Sequence, residues 1–295
     1  MAALATGPLD MSAPALPRAC VAGWPVDHSR SPLIHSYWLR KLGIDGSYGK
    51  TAVPPGQFAA FAEGIGRDGL VGANVTIPHK EAAFAACDWV SANAADLGAV
   101  NTLWRANGKL CGDNTDVAGF LANLDEQAPE WRSETRCAIV LGAGGAARAI
   151  VRGLASSHID RIIIVNRTPD RAELLAAQYR DNALSAPWTA LPELLAGADL
   201  LVNTSSLGMA GQPALDIDLA PLPARAIVAD IVYIPLETPL LAAARSRGLR
   251  AVEGLGMLLH QAAPGFERWF GVRPLVTPEL RALIEDDILR SGKGR

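Results

Sequence analysis

Cys137-Ala138-Ile139-Val140-Leu141 runs directly into Gly142-Ala143-Gly144-Gly145-Ala146-Ala147. Five unbroken apolar residues fit a strand buried on both faces of a parallel sheet. The residues after them, to about 155, read as a helix. Gly142-x-Gly144-x-x-Ala147 is then a strand-to-helix turn. Glycine tightens such a turn and lets backbone N–H groups approach a pyrophosphate, and the helix N-terminus adds partial positive charge. Alone the pattern is weak, because tight turns use glycine without binding anything. Its setting in a strand–helix–strand unit points to a dinucleotide.

The next strand, 161–165, ends at Asn166-Arg167-Thr168, 24 positions after Gly142. NAD enzymes usually carry an acid there for the ribose hydroxyls. Arg167 instead offers charge-assisted bonds to a 2′-phosphate, Asn166 and Thr168 add neutral donors, and Arg171 adds a second charge. NADP is therefore expected over NAD. Thr168 before Pro169 is also a good helix cap, and the two roles are compatible.

Outward from this turn, strand and helix patterns alternate in both directions. Before it, strands are expected at 18–23, 47–53 and 70–76, with helices at 32–42, 58–65, 78–87 and 117–124. After it come helices at 169–179 and 192–196 and strands at 200–203, 226–230 and 249–252. The end, 257–270 and 278–289, is purely helical. Such alternation implies α/β architecture with largely parallel sheets. The polar stretch DEQAPEWRSETR after Leu124 looks like a boundary between two domains, the number suggested by 295 residues.

Composition narrows the function classes. Hydrophobic residues make up 49% and charged residues only 19%, so the chain is neither disordered nor a coiled coil. A net charge of −3 and a pI near 6.0 give no basic field for nucleic acid or an anionic membrane. No apolar stretch approaches the roughly 18 residues a membrane helix needs. Residues 1–17 are Ala/Pro-rich, lack the features of a signal peptide and are expected to form a loose tail, in which Met11 offers a second start. Cys20, Cys87, Cys111 and Cys137 are scattered, as in a reducing cytoplasm, and the five histidines show no metal spacing. A soluble, cytoplasmic protein with a small-molecule partner is expected.

Three N-terminal segments carry candidate chemistry. In His28-Ser29-Arg30-Ser31-Pro32, Ser31 is a good helix cap before proline. That leaves Ser29 unexplained, and two hydroxyls beside a helix N-terminus would also hold a small carboxylate. Asn74-Val75-Thr76-Ile77-Pro78-His79-Lys80 ends a strand and opens a helix. A first-turn lysine opposes the helix dipole, so Lys80 is an acid/base candidate as well as an ordinary surface lysine. In Gly112-Asp113-Asn114-Thr115-Asp116, Asp116 is either a helix cap or a partner for Lys80.

Taken together, HSRSPLIH, GANVTIPHKE, GAVNTL, GDNTDVAGF, GAGGAARA, NRTPDRA, DIVYIPLETPLL and GLGMLLHQA resemble the shikimate dehydrogenase family, in order and over nearly the whole chain. The resemblance implies NADP-dependent, reversible reduction of 3-dehydroshikimate to shikimate in aromatic amino-acid biosynthesis. It implies catalytic Lys80 and Asp116, and substrate contacts from Ser29, Ser31, Thr76, Asn101, Tyr233 and Gln261. The cofactor would meet Gly142, Ala143, Gly144, Gly145, Ala146, Ala147, Asn166, Arg167, Thr168, Arg171, Gly254 and Met257. The family more often has Ala-Thr where this chain has Thr204-Ser205 in NTSSLGM.

The family fold implies a substrate domain over 18–116 and 255–295, closed by the returning C-terminal helices, and a Rossmann-type NADP domain over 117–254. A monomer or homodimer is expected, with no nucleic-acid or membrane partner. A broader quinate/shikimate dehydrogenase and a non-catalytic metabolite sensor are the alternatives. A folate-linked dehydrogenase fits HSRSP and NTD poorly.

Overall fold

The computed structural model describes residues 15–292. Residues 1–14, which hold most of the expected tail and Met11, lie outside them. The first sheet contains β1 Arg18–Gly23, β2 Ser47–Ala52, β3 Leu70–Val75, β4 Trp89–Val90, β5 Thr102–Ala106 and β6 Lys109–Asp113. Among these strands lie α1 Ser31–Leu42, α2 Phe58–Gly64, α3 Lys80–Ala86 and α4 Ala92–Leu97. Helices α5 Asp116–Gln127 and α6 Trp131–Glu134 follow. The second sheet contains β7 Cys137–Leu141, β8 Arg161–Val165, β9 Ala183–Ala186, β10 Leu200–Asn203, β11 Ile227–Asp230 and β12 Arg250–Val252. Its helices are α7 Gly145–Ser156, α8 Pro169–Ala176, α9 Leu191–Leu195 and α10 Pro239–Ser246, and α11 Leu255–Phe270 and α12 Pro278–Gly292 close the chain.

The second sheet has the order β12-β11-β10-β7-β8-β9 and is parallel throughout. Its central strand β7 is buried at every position, as its apolar run requires. The first sheet has the order β2-β1-β3-β5-β6-β4. Strands β1, β2 and β3 pair in parallel, as do β4 and β6, whereas β5 pairs antiparallel with β3 and β6. The β5–β6 hairpin is an addition to the alternation expected from sequence. Asn107 (φ 51°) and Gly108 (φ 77°) form its two-residue turn, and Asn-Gly suits positive φ at both positions.

The polar stretch after Leu124 is not a loose linker. It contains α6, whose Trp131 is fully buried with Phe120, Leu124 and Ala128 against β7 and α7. The Trp131 indole N–H donates to Asp125 Oδ1 at 2.7 Å, which explains how a core tryptophan can sit in a polar sequence. The last two helices return to the first sheet. Leu255, Leu259 and Phe266 of α11 and Leu280 and Ile284 of α12 share a core with Val21, Ile34 and Trp38.

Three expected caps differ. Ser31 is the first residue of α1, not its cap; Arg30 holds the cap position without a side-chain bond. Thr168 occupies the cap position of α8 but makes no capping bond. Asp116 is the first residue of α5, and its carboxylate is engaged elsewhere.

His35 on α1 is fully buried, stacked on Tyr48 with ring centroids 3.9 Å apart, and neither ring nitrogen has a hydrogen-bond partner. Burial pushes its pKa down to about 3. As pH falls below the ordinary histidine value, the unfolded chain therefore takes up this proton first, and stability is lost by about 1.4 kcal/mol per pH unit until the folded value is reached. In urea unfolding at pH 7 and pH 5, His35→Phe should lose about 2 kcal/mol less than the parent over that interval. Equal losses would show that His35 does not set the acid slope.

Candidate active site

Ligands of open α/β sheets bind outside the carboxyl ends of strands where the strand order reverses. Both sheets meet that condition around one cleft. In the first sheet the reversal lies between β1 and β3, and the loops after them are joined by Trp24 N–H donating to Ile77 O at 3.0 Å. Segment 28–31 follows β1, and Thr76 and Lys80 follow β3. A cavity of about 250 Å³ opens here, lined by Ser29, Ser31, Thr76, Lys80, Asn101 and Asp116. Tyr233, Gly254, Met257 and Gln261 line it from the opposite side. All eight residues named above as catalytic or substrate-binding, with Gly254 and Met257 of the cofactor set, thus border one cavity.

Lys80 Nζ donates to Asp116 Oδ2 at 2.6 Å, and the two side chains remain 31% and 15% exposed. Asn101 Nδ2 donates to the other carboxylate oxygen, Oδ1, at 2.9 Å. The orientation of the Asn101 amide is forced, because its Oδ1 accepts from the Thr115 backbone N–H at 2.9 Å, which can only donate. Thr102 and Thr115 hydroxyls also reach Asn101 Oδ1, at 3.0 and 3.1 Å. The carboxylate is thus held from both sides, while Lys80 keeps N–H capacity toward the cavity.

Gln261 arrives from the far end of the sequence. The Thr115 hydroxyl approaches Gln261 Oε1 at 3.4 Å. This requires α11 to lie very close to α5, and Gly119 permits it: a Cβ there would stand 2.6 Å from Gln261 Cβ and 2.8 Å from Met257 O. Tyr233 follows β11 on a loop tied down by Asp230. That buried carboxylate accepts from Val232 N at 3.0 Å, Asn203 Nδ2 at 2.9 Å and the Thr238 hydroxyl at 2.7 Å. Burial raises the Tyr233 phenol above its ordinary pKa, with Arg30 countering part of the rise, so the phenol stays a neutral donor near pH 7.

The other residues named for the cofactor gather at the carboxyl ends of β7 and β8 in the second sheet. Gly142 N–H donates to Val165 O, so the glycine turn and the Asn166–Thr168 loop are neighbours. Gly144 and Gly145 have open space where side chains would project, leaving the N-terminus of α7 bare, and Ala147 is packed in the core. Ala143 and Ala146 are partly buried in the same turn. Arg167, Thr168 and Arg171 are exposed, and Asn166 Nδ2 donates to Thr168 O at 2.8 Å. A bare helix N-terminus beside two exposed arginines fits a phosphorylated dinucleotide.

Three segments match models of the "Shikimate dehydrogenase substrate binding domain" (residues 21–103), "Shikimate / quinate 5-dehydrogenase" (124–209) and "Shikimate 5'-dehydrogenase C-terminal domain" (254–283). The chain belongs to the shikimate dehydrogenase family. It is 57% identical to the shikimate dehydrogenase (NADP(+)) of Methylocella silvestris over 93% of this chain and 98% of that one. It also resembles the Thermus thermophilus shikimate 5-dehydrogenase solved with NADP(H) and shikimate (35% identical, TM-score 0.79, covering 94% of this chain and 100% of that one). The quinate dehydrogenase of Corynebacterium glutamicum solved with NAD is similar as well (29% identical, TM-score 0.85, 92% and 99% covered).

Sequence reasoning missed three polar residues of this cavity in a shikimate dehydrogenase fold, His28, Arg30 and Asn74. Asn74 is buried and donates toward Asn101 O and Thr102 Oγ1 at 3.2 and 3.3 Å, while the Tyr48 phenol donates to its Oδ1 at 2.6 Å. A buried asparagine ending an apolar strand was the available signal. Arg30 was overshadowed by the serines on either side of it.

Thr204, at the departure from the usual family pattern, donates its hydroxyl to Leu141 O at 2.7 Å and stands 2.6 Å from where a Gly142 Cβ would be. Gly142 also has φ +114°. Gly142→Ala should therefore destabilise the protein by about 1–3 kcal/mol in urea unfolding. Gly144→Ala, with open space at that position, should cost clearly less; equal costs would contradict the described turn.

Proposed function

We propose that the chain is an NADP-dependent shikimate dehydrogenase that interconverts 3-dehydroshikimate and shikimate. The carrying observation is the Lys80–Asp116 pair, held by Asn101, in a cavity rimmed by hydroxyl and amide groups suited to a polyhydroxylated ring acid. Family membership supplies the substrate class, and the quinate dehydrogenase among its structural relatives makes quinate the substrate to exclude.

Ser29, Ser31 and Tyr233 present O–H donors for the substrate carboxylate, while Thr76, Asn101 and Gln261 face the ring hydroxyls. Gly254 and Met257 border the cavity where the nicotinamide would lie, with Gly142–Ala147 toward the pyrophosphate and Asn166, Arg167, Thr168 and Arg171 toward the 2′-phosphate. NADP held by these residues would supply the hydride chemistry at the substrate carbon. Lys80 exchanges the proton with the 3-oxygen: its neutral amine takes the hydroxyl proton in oxidation, and its ammonium form returns it in reduction. Asp116 is the less suitable donor because both of its oxygens already accept hydrogen bonds, from Lys80 and Asn101. Its part is to hold Lys80 on the reacting oxygen. A non-catalytic sensor would not need this assembled pair.

A steady-state matrix of shikimate and quinate, each with NADP and NAD, tests the assignment. The shikimate–NADP combination should give the highest kcat/KM; preference for quinate would overturn the substrate, and preference for NAD the role of Arg167. Lys80→Ala should lower kcat by about 10²–10⁴-fold, with NADP affinity in direct titration changed far less. Near-normal turnover would remove Lys80 from the chemistry.

A further inference from the structure

We propose that Arg30 is a specificity-determining residue that reads the negative charge of the substrate carboxylate and is aimed by Asp287 of the C-terminal helix α12. The proposal rests on the reading of the cavity as a shikimate site. Arg30 lies between the two serines and lines both their cavity and the adjoining one that Asp287 borders. Its side chain is only 11% exposed, so its charge acts in a partly desolvated setting. Nε donates to Asp287 Oδ2 at 2.9 Å across 257 positions of sequence. No protein acceptor is found for either terminal nitrogen among the described residues, so both keep donors free. Their closeness to the cavity is felt at Tyr233, whose phenol pKa Arg30 lowers against the opposing effect of burial.

The other cation of the cavity cannot take this part. Lys80 is committed to Asp116 at 2.6 Å. The carboxylate of Asp287 is 42% exposed and bonds only Nε, so it fixes the guanidinium without covering its outer edge. Arginine tethered at Nε presents its terminal N–H groups as a fork that matches a planar carboxylate. Serine hydroxyls alone would hydrogen-bond an acid, an amide or an ester with little preference. A fixed guanidinium supplies the discrimination by charge.

The test compares shikimate with its uncharged methyl ester by titration calorimetry and steady-state kinetics. The parent should bind the acid roughly 10- to 100-fold more tightly than the ester. In Arg30→Met the KM and Kd for shikimate should rise by a similar factor. Acid and ester should then bind alike, while kcat falls by no more than about threefold. Arg30→Lys should keep the preference for the acid at a raised KM. Asp287→Asn should raise KM for the acid more than for the ester. Should Arg30→Met fail to fold, these two variants carry the test, and parent-like values in both would overturn the proposal. So would a parent that binds acid and ester equally, or an Arg30→Met enzyme that retains its preference. A parent that neither binds nor turns over shikimate would overturn the underlying assignment instead, and is seen before any variant is made.

Discussion

The close crossing of α5 and α11 is the constraint on which the site depends. Helix axes normally stay 8–10 Å apart because side chains intervene. Here Gly119 removes the side chain at the contact, and Gly256 does the same on the other helix, where a Cβ would overlap Asn123 Oδ1. The approach joins two helices that serve different halves of the molecule. Phe120 and Leu124 of α5 pack into the second sheet's core, while Leu255, Leu259 and Phe266 of α11 pack into the first. Asp116 begins the former helix, and Met257 and Gln261 ride on the latter. Moving either helix outward by the thickness of one methyl group would separate Gln261 from Thr115 and widen the cavity at the Lys80–Asp116 pair.

Within that frame, charge is placed where stability gains little from it. In a largely buried ion pair the cost of desolvation offsets much of the Coulombic gain, so Lys80 and Asp116 do not hold the fold together. The fold holds them. Asn101 is locked by a backbone donor, and its amide in turn fixes the carboxylate. A lysine in the first turn of α3 opposes the helix dipole, and among the described residues Asp116 is the one side-chain acceptor it reaches. Such local disagreement with stability is where a site is expected to show itself.

How far the sequence disclosed this follows from the range of each interaction. Strands β1, β3, β7, β8 and β10 are set by apolar runs a few residues long, and the glycine turn by its own backbone needs, so both were legible. The β5–β6 hairpin was legible in principle through Asn107-Gly108, a local signal overlooked beside the polar segments around it. Trp131 was not, because its burial depends on packing against β7 and on one bond to Asp125. The return of α11 and α12 to the first sheet leaves no mark on periodicity, since an amphipathic helix does not state which sheet it covers. It was available only through family resemblance. The same limit hid Arg30: its neighbours in sequence suggested a carboxylate site, but its tether lies on α12.

A slightly acidic protein that takes an acid and a phosphorylated dinucleotide cannot attract them through its overall field. Its cations must act at short range, and the structure separates them by task. Arg167 and Arg171 stand exposed after the second strand of the Rossmann-type sheet, where a phosphate would remain partly hydrated. Arg30 is nearly buried at the other end of the cleft, where a carboxylate would lose most of its water. The partner carboxylate of Asp287 reduces the cost of burying Arg30 in the empty cavity, and it leaves the outer N–H groups for the ligand. Tyr233 borders the same cavity as a neutral donor, because burial keeps its phenol raised and so adds no competing negative charge.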